Sequence, residues 1–537
     1  MVGNPPVAGG HANASMDDSV NYKKRFNGIA MTTFSAFGGV LFGYDTGVIS
    51  GIKEMQAFLR QFGFPSGDPK HSTGFAITSS SESLIVSILS AGTFIGALLA
   101  APIADNLGRK WGIILATLVF SIGIAMQTAA SELTLFVIGR VFAGLGVGIS
   151  SVILPMYQAE CSPRWIRGAV IATYQFAITI GLLTAAIVNN ATKNRDNSSA
   201  YQIPIALQFG FAVILAGGMM FLPESPRWLI KCGRDTDAAL SLSRLTGSPH
   251  DGSEVESELE EIRVNLEQEK AYGRKSYKDC FRHSENRVLL RTLTGISLQA
   301  WQQLTGINFI FYYGTTFFQN TGINNPFIIS IVFNAVNVLM TMPGIWGVER
   351  YGRRRLLLVG AIGMCLCEYI VAIIGATISV GNIAGQKVLI AVVCIYISFF
   401  AATWGPIPWV ITGELFPLQL RAKGMSLSIA SNWLCNFGIS YAIPYLVNKA
   451  PGSAGLEARV FFIWGSMCFC CIIFTFLCVP ETKGLSLEQI DVMYRHATPV
   501  QSLEYRRRLM ASIRVAEIER AYKIRQPPSL LEVYGKF

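Results

Sequence analysis

Long apolar runs separated by short polar connections dominate the pattern of this chain. Each run covers about 20 residues, the length that crosses a bilayer as an α-helix. The runs lie at about 27–49, 82–104, 112–130, 133–155, 168–189, 203–222, 288–318, 327–347, 356–379, 387–412, 424–448 and 458–479. The pattern therefore predicts an all-α membrane protein with twelve transmembrane helices.

Three short motifs occur twice, once in each half of the chain. DNLGRK follows the second run and ERYGRRR the eighth, and PESPRWL ends the sixth run as PETKGL ends the twelfth. A Glu followed seven residues later by an Arg closes the fourth run (Glu160, Arg167) and the tenth (Glu414, Arg421). The paired motifs are 244, 257 and 254 residues apart, in that order. A near-constant offset predicts a duplicated six-helix unit, the architecture of many alternating-access transporters.

The connections divide the chain into five parts. We predict a disordered cytoplasmic tail over 1–22, a six-helix half over 23–223, a cytoplasmic linker domain over 224–287, a second half over 288–480 and a cytoplasmic tail over 481–537. The linker is predicted to be helical because Leu259, Ile262 and Leu266 recur at helical spacing. The C-terminal tail contains a basic helix that is expected to lie near the anionic inner leaflet. The N-terminal tail lacks the apolar core of a signal peptide.

Composition and charge agree with this membrane topology. The chain is 51% hydrophobic and only 15% charged, with a mean hydropathy of +0.41, whereas soluble proteins are about 25% charged. The net charge of +10 is concentrated in alternate connections, so the positive-inside rule predicts cytoplasmic termini in a plasma-membrane protein. Basic residues confined to short loops beside apolar runs argue against nucleic-acid binding. The eleven Cys residues avoid the predicted outer loops and show no metal-ligand spacing, so no disulfide, metal or cofactor is expected.

The stretch QQLTGIN, within the seventh run, carries the strongest candidate chemistry. Gln302, Gln303 and Asn308 are amides where hydrocarbon would penalise each unpaired polar group by several kcal/mol. Gly306 is a weak point in the helix, and Tyr312 lies one turn beyond Asn308 on the same face. This combination suits a polyhydroxylated ligand held halfway across the membrane.

Other runs offer further amides and aromatic rings. An amide taken alone can simply join two helices, but amides and aromatic rings drawn from both halves favour a shared sugar site. A carboxylate substrate would require an inward Lys or Arg, and the set has none. The set consists of Gln175, Asn334, Asn337, Trp404, Trp409, Asn432, Trp433 and Asn436, with Gly405, Pro406 and Pro408 interrupting the tenth run.

Ionisable residues inside the runs are costly and indicate function by default. Asp45 lies in the first run and Arg140 begins the fourth. An Asp that pairs with Arg140 when ionised and releases it when protonated would couple a proton to a conformational change. The alternative is a permanent structural ion pair. Glu368, in the ninth run, has no evident partner and is interpreted as a buried protonated acid.

Charged residues next to the runs on the cytoplasmic side suit a gate between the halves. Such ion pairs would close in the outward-facing state and break when the inside opens. The predicted pairs are Asp105 with Arg109, Glu160 with Arg167, Glu349 with Arg353, and Glu414 with Arg421.

Over about 25–495 the chain resembles the sugar porters of the major facilitator superfamily, especially fungal glucose and xylose transporters. The motifs GYDTG, DNLGRK, PMYQAECSPRWIRG, PESPRWL, QQLTGIN, ERYGRRR, WGPIPW, GELFPLQLRAKG and PETKGL occur in family order. The resemblance implies that Asp45 and Arg140 match the proton-coupling pair of bacterial and plant symporters. It also implies sugar contacts from Gln175, Gln302, Gln303, Asn308, Asn337, Trp409 and Asn432, with Phe42, Ile178, Tyr313 and Trp433 lining the site.

The sequence therefore predicts a transporter that moves monosaccharides, glucose and xylose, inward together with a proton. Some fungal uniporters of this family keep the Asp, so a facilitative hexose uniporter is the first alternative. The second alternative, from another class, is a transporter-like sugar sensor. An enzyme is not expected, because the sequence shows no nucleophile–base or metal constellation.

Overall fold

A computed structural model describes residues 28–65, 75–163, 165–270, 276–320, 326–377, 383–447 and 453–512. The N-terminal tail predicted to be disordered lies outside these residues, as does the C-terminal tail beyond residue 512. Within residues 502–512, the predicted basic tail helix is helical.

The first half of the molecule follows the predicted order of helices. Residues 28–34 are helical and lead through a 3₁₀ turn, Ser35–Phe37, into the first named helix. The helices are α1 Gly38–Ile52, α2 Gln56–Phe62, α3 Ser79–Leu107, α4 Arg109–Thr128, α5 Leu133–Cys161, α6 Arg167–Thr192, α7 Ser199–Ala206 and α8 Gln208–Phe221. In the outer connection, Phe64–Pro65 pairs antiparallel with Phe75–Ala76, a minimal strand pair within an otherwise helical fold.

Between the halves lie α9 Pro226–Lys231, α10 Asp235–Thr246, α11 Ser253–Lys270 and a 3₁₀ turn, Tyr277–Phe281. The apolar residues of α11 recur as predicted and are buried, because Leu259, Ile262 and Leu266 pack against Trp228 and Leu242. This small cluster also includes Leu418, three residues before the helix that begins at Arg421. The short helices are therefore packed against each other and against the membrane-embedded part.

The second half repeats the arrangement, with two breaks. Its helices are α12 Val288–Leu304, α13 Ile307–Asn320, α14 Pro326–Tyr351, α15 Arg353–Thr377, α16 Ile383–Phe399, α17 Ile407–Leu415, α18 Arg421–Val447, α19 Val460–Cys478 and α20 Leu487–His496. A wide helical turn, Phe400–Trp404, joins α16 to α17, and a 3₁₀ turn, Glu457–Arg459, precedes α19.

The predicted twelve-helix membrane fold is confirmed. Nine helices of the described residues are long and apolar enough to cross a membrane. The three other runs coincide with the helical residues 28–52, with the broken pair α12 and α13, and with the polar-rich α18. Helices extend beyond the apolar runs, as α5 does to Cys161, because the polar residues at their cytoplasmic ends continue the helix.

The two halves meet most extensively where α3 packs along α18 and α6 along α14, and α1 also contacts α13 as α5 contacts α18. Within the first half, glycines allow α5 to approach its neighbours closely. A Cβ on Gly144 would lie 2.3 Å from the Leu89 carbonyl oxygen of α3, and one on Gly146 would lie 2.6 Å from the Ala116 carbonyl oxygen of α4. This packing fixes the helix that carries Arg140.

Candidate functional site

The seventh membrane segment is broken at Gly306, between α12 and α13. Gly306 has a φ of +82°, and a Cβ there would lie 2.6 Å from Trp464. Both the backbone conformation and the available space therefore require glycine. The break frees carbonyl groups in mid-membrane, and two hydroxyls occupy them: Thr305 donates to Gln302 O at 2.8 Å, and Tyr396 donates to Thr305 O at 2.7 Å.

Gln302 connects this break to the irregular part of the tenth segment. Its Nε2 donates to the carbonyl oxygens of Trp404 and Gly405, both at 2.9 Å. Trp404 O lacks its usual helical donor because residue 408 is a proline without an N–H, and Gly405 N bonds to Phe400 O across a widened turn. The two broken segments are thus joined side by side at the level of the amides.

Asn432 of α18 is the centre of an amide network. Its Nδ2 donates to Gln299 Oε1 at 2.7 Å and to Gln302 Oε1 at 2.8 Å, and its Oδ1 accepts from Gln303 Nε2 at 3.0 Å. Asn308 also donates to Gln303 Oε1. Four of the predicted sugar contacts (Gln302, Gln303, Asn308 and Asn432) therefore belong to one buried, uncharged network.

Asn436, one turn after Asn432, links this network to the first half. Its Nδ2 donates to Gln303 Oε1 at 3.0 Å, and its Oδ1 accepts from Ser90 of α3 at 2.7 Å and from Tyr312 at 3.3 Å. Network residues from both halves therefore meet across the molecular interface.

Aromatic rings flank the network from both halves. Trp409 Nε1 donates to Gln175 Oε1 at 3.2 Å. Phe42 packs edge to face on Trp433, with ring centroids 4.9 Å apart. Ile178 is buried where α6 passes close to α1, since a Cβ on Gly43 would lie 1.9 Å from the Ile178 carbonyl oxygen.

Two predicted contacts stand outside the network. Asn337 of α14 is fully buried, and neither atom of its amide has a hydrogen-bond partner. Buried amides without a partner are costly, so Asn337 is free to bind a ligand. Tyr313 instead donates to Ser440 O at 2.8 Å, and its ring lies 4.2 Å from Lys53 Nζ.

Lys53, Glu82 and Gln299 were missed by the sequence interpretation. Lys53 is buried at the outer end of the first segment, 2.5 Å from Glu82, where outer connections were expected to be poor in basic residues. Gln299 donates to Thr412 Oγ1 at 2.9 Å and accepts from Asn432. Its position three residues before Gln302, on the same helical face, is the signal that could have identified it.

Asp45 and Arg140 face each other in the first half. Arg140 Nη1 lies 3.9 Å from Asp45 Oδ2, and both side chains are about 1–2% exposed. Arg140 Nε and Nη2 have no hydrogen-bond partner, so the contact is a loose ion pair. The Tyr312 hydroxyl lies near Asp45 and Arg140, and it donates to Asn436 Oδ1. A single side chain, Tyr312, therefore lies between the ion pair and the amide network.

The charged residues of the predicted gate repeat the same hydrogen bonds in the two halves. Arg109 pairs with Glu160, with two N–O distances of 2.9 Å, and Ser225 Oγ donates to the same carboxylate at 2.5 Å. Arg353 likewise pairs with Glu414 at 2.8 Å. In each half the arginine also donates to a carbonyl five residues earlier, and the Glu of PES or PET accepts from its backbone N–H. The duplication seen in the motifs is thus repeated in the contacts.

Three of the four predicted gate pairs are wrong. Asp105 bonds to Lys231 and Lys423, both at 2.8 Å, rather than to Arg109. Glu160 pairs with Arg109 rather than Arg167, and Glu414 pairs with Arg353 rather than Arg421. A helix end lies between the partners of every predicted pair, so the pairing is decided by which opposite charge the helix packing brings nearest, Arg109 to Glu160 and Arg353 to Glu414. Helix α5 ends at Cys161 before α6 begins at Arg167, α17 ends before α18, and Gly108 turns the chain between Asp105 and Arg109.

Glu349 and Arg353 pair as predicted, at 3.2 Å. Glu349 Oε1 also accepts from the Ala169 backbone N–H at the start of α6, at 3.2 Å. Arg167 is buried, and its Nε and Nη1 have no hydrogen-bond partner.

Several contacts cross between the halves on the side predicted to be cytoplasmic. Arg421 Nη1 lies 3.7 Å from Glu160 Oε1, and Lys423 bonds to Asp105. Arg227 of the linker pairs with Glu488 of α20. Burial opposes ionisation of Glu488, but the charges of Arg227 and Arg167 lower its pKa to about 2. This pairing adds stability above the ordinary pKa of Glu, and that stability is lost only as the pH falls towards 2.

Comparison with known proteins gives consistent relationships. The profile of a family described as "Sugar (and other) transporter" matches residues 31–494. "Major facilitator-type transporter ecdD" of Aspergillus rugulosus is 50% identical over 481 residues, covering 88% of each chain. "Probable glucose transporter rco-3" of Neurospora crassa is 48% identical, over 87% of this chain and 79% of that protein. "High glucose sensor RGT2" of Saccharomyces cerevisiae is 43% identical over 86% of this chain, which spans 60% of the sensor.

Solved structures match the fold. The proton:xylose symporter XylE bound to 6-bromo-6-deoxy-D-glucose superposes with a TM-score of 0.75 at 26% identity, covering 88% of this chain and all of that one. The inward-open form of XylE from E. coli gives 0.64 at 25% identity, covering 86% and 99%.

Proposed function

Because this chain belongs to the sugar transporter family of the major facilitator superfamily, we propose that it moves glucose and xylose across the plasma membrane by alternating access, in symport with a proton. The chain is a multi-pass membrane protein, and we propose that both termini face the cytoplasm. The monosaccharide, the proton and the lipid bilayer are then its partners.

The buried amide network is the observation that supports a sugar most directly. Its members are neutral donors and acceptors from α12, α13 and α18, and none of them is a Lys, Arg, Asp or Glu. Sugar hydroxyls can replace the amide–amide hydrogen bonds of the network without leaving a charge unpaired. The faces of Trp409 and Trp433 are suited to pack on the C–H faces of a pyranose.

The loose ion pair supports proton coupling. Ionised Asp45 attracts Arg140 in a dry environment, where the interaction is stronger than in water. A proton taken from the outer side neutralises Asp45 and removes that attraction, so that α1 and α5 can rearrange. Release of the proton to the cytoplasm restores the pair. Tyr312 lies between the pair and Asn436, and it can transmit the change to the sugar site.

The sugar claim is tested by uptake in cells that lack their own hexose carriers. The full chain is expected to confer saturable uptake of labelled glucose, with xylose competing for the same site. An inactive but surface-expressed chain would overturn transport. If that chain still changed sugar-dependent gene expression, the result would favour a sugar sensor. The similarity to RGT2 is the observation that supports this second candidate.

A facilitative uniporter is distinguished from a symporter by the pH of a weakly buffered cell suspension. Symport is expected to raise the external pH when sugar is added, because each sugar takes up a proton. Saturable uptake without any pH change would remove proton coupling and leave the uniporter.

Asn337→Ala is expected to raise the KM for glucose at least tenfold, because both amide atoms are buried and unpaired in the absence of sugar. The loss corresponds to one or two hydrogen bonds at about 1 kcal/mol or more each. Asn334→Ala is a control one turn earlier, since the Asn334 Nδ2 donates to the Ser330 carbonyl of its own helix and only its Oδ1 lacks a partner. Initial uptake rates over a range of glucose concentrations measure the effect, and an equal KM in both variants would contradict it.

A further inference from the structure

Helix α3 contains a proline, Pro102, whose ring nitrogen carries no hydrogen. In a regular α-helix the N–H of residue 102 would donate to the carbonyl oxygen of Leu98. That carbonyl therefore lacks its helical donor, although it lies inside the apolar run that forms the second membrane segment. A carbonyl group without a partner in such a position is costly, so a donor from another part of the chain is expected there.

Tyr277 of the linker supplies this donor. Its hydroxyl donates to Leu98 O at 2.7 Å and lies 3.1 Å from Ser426 Oγ of α18. Ser426 Oγ itself donates to the neighbouring carbonyl oxygen of Ala97 at 2.6 Å. Two hydroxyls therefore bind successive carbonyls of α3, one from the linker and one from the second half.

The linker segment that carries Tyr277 is attached to the second half. The 3₁₀ turn that begins at this residue packs against α12 and α18. Within the turn, Cys280 is fully buried beside Val288 of α12 and Leu420, which directly precedes α18. Leu98 belongs to the first half. The hydrogen bond from Tyr277 to Leu98 therefore crosses between the halves, and it can form only when α3 and α18 meet at this level.

Hydrogen bonds between side chains continue along the contact of α3 with α18 in both directions. Towards the amide network, Ser90 of α3 donates to Asn436 at 2.7 Å, and towards the end of α3, Lys423 bonds to Asp105 at 2.8 Å. The acceptor of Tyr277 lies between these two contacts along α3. A separation of the halves that starts at the linker side must therefore break the Tyr277 bond before it reaches the proposed sugar site.

We propose that Tyr277 is a positioning residue of the transport cycle, which holds α3 against α18 and favours the conformation in which the halves meet on the linker side. When the halves separate there, the Leu98 carbonyl loses its donor, and Pro102 prevents the helix from replacing it. The bond therefore opposes opening on that side.

This inference rests on the proposed sugar transport, and uptake by the wild type separates the two claims. Without wild-type uptake the proposed function fails. Wild-type uptake together with an unaffected Tyr277→Phe variant refutes only the positioning role.

Tyr277→Phe is expected to raise the ratio of the KM for glucose entry to the KM for glucose exit about fivefold. One net hydrogen bond changes the relative population of two states by about this factor, and the apparent affinity on each side scales with the fraction of the protein that is open to that side. Entry and exit are measured with the proton gradient collapsed. Damage to the sugar site would raise both KM values, and poorer folding would change only the amount of transporter at the surface.

Tyr157→Phe is the matched control. The Tyr157 hydroxyl also donates to a carbonyl oxygen, that of Pro223 at 2.8 Å, but both residues belong to the first half. Its loss is expected to leave the ratio of the two KM values at that of the wild type. A wild-type ratio in Tyr277→Phe, or an equal change in both variants, would overturn the proposal.

A double variant tests whether the carbonyl freed by the proline is the group on which Tyr277 acts. Pro102→Ala restores a backbone N–H for Leu98 O, so removing the Tyr277 hydroxyl in that background should change the ratio less than about twofold. An undiminished effect of Tyr277→Phe in the Pro102→Ala background would overturn the role assigned to this carbonyl. If Pro102→Ala does not reach the surface, the single variant Tyr277→Phe still decides the positioning role.

Discussion

Asp45→Asn is expected to abolish accumulation of sugar against its gradient while exchange of labelled for unlabelled sugar continues. Asn cannot bind or release a proton, so the free energy of the proton gradient no longer drives the cycle. Exchange needs only the loaded protein to reorient, and the amide network that we propose as the sugar site is unchanged. The measurements are the steady-state ratio of internal to external sugar and the rate of counterflow in preloaded vesicles.

The Asp45→Asn variant leaves Arg140 buried without its counter-charge. Such a loss costs about 3–5 kcal/mol in folded cores. The double variant Asp45→Asn/Arg140→Gln removes both charges and should recover exchange if the single variant is unstable. Asp105→Asn is the control, since Asp105 pairs with Lys231 and Lys423 at the cytoplasmic edge. It is expected to retain accumulation at a reduced rate. Equal accumulation in wild type and Asp45→Asn would refute proton coupling through this residue.

Glu160→Gln is expected to lower the initial rate of uptake by about two orders of magnitude. Glu160 is buried between Arg109, Arg421 and Ser225, at distances of 2.9, 3.7 and 2.5 Å. Removing its charge leaves buried guanidinium groups unpaired, which costs about 3–5 kcal/mol. The cost falls on the state that is closed to the cytoplasm, so the outward-facing form becomes rare. Initial rates divided by the amount of transporter at the surface measure the effect.

The duplicated half supplies a matched control for this variant. Glu349→Gln also neutralises a cytoplasmic Glu, but its partner Arg353 keeps Glu414 at 2.8 Å. Glu349 is also partly exposed, so solvent screens its charge. A change of less than threefold is expected. Equal losses of uptake rate in Glu160→Gln and Glu349→Gln would mean that these charges act through the overall electrostatic potential of this face and not through specific buried pairs.

The features that follow from periodicity and repetition were predictable from the sequence. Membrane helices must satisfy their own backbone hydrogen bonds, so apolar runs of the right length become helices. QQLTGIN broke at Gly306 because only glycine adopts that conformation beside Trp464. Amides at helical spacing on α12 and α18 met because polar groups in a dry interior must find partners.

The choice of partner among several nearby charges was not predictable in the same way. Glu160 and Arg167 are seven residues apart, but a helix end between them redirects the Arg. Lys53 lies at the end of the helix bundle where few basic residues were predicted. Only its buried contact with Glu82 shows that it belongs to the structure of that end. Asn337 and Asn432 are both amides in apolar runs. Only the fold shows that Asn432 is saturated with hydrogen bonds and Asn337 has none.

The contacts that join the two halves differ in kind between the two ends of the helix bundle. At the outer end, Lys53 bonds to Glu82 within its own half and reaches the second half through the ring of Tyr313. At the inner end, charged pairs cross the interface directly, as between Lys423 and Asp105. Cation–ring attraction is worth about 0.5–2 kcal/mol, less than breaking buried ion pairs. If the protein carries sugar as proposed, the weaker contacts at the end of Lys53 should separate first, and the empty protein should rest open on that side.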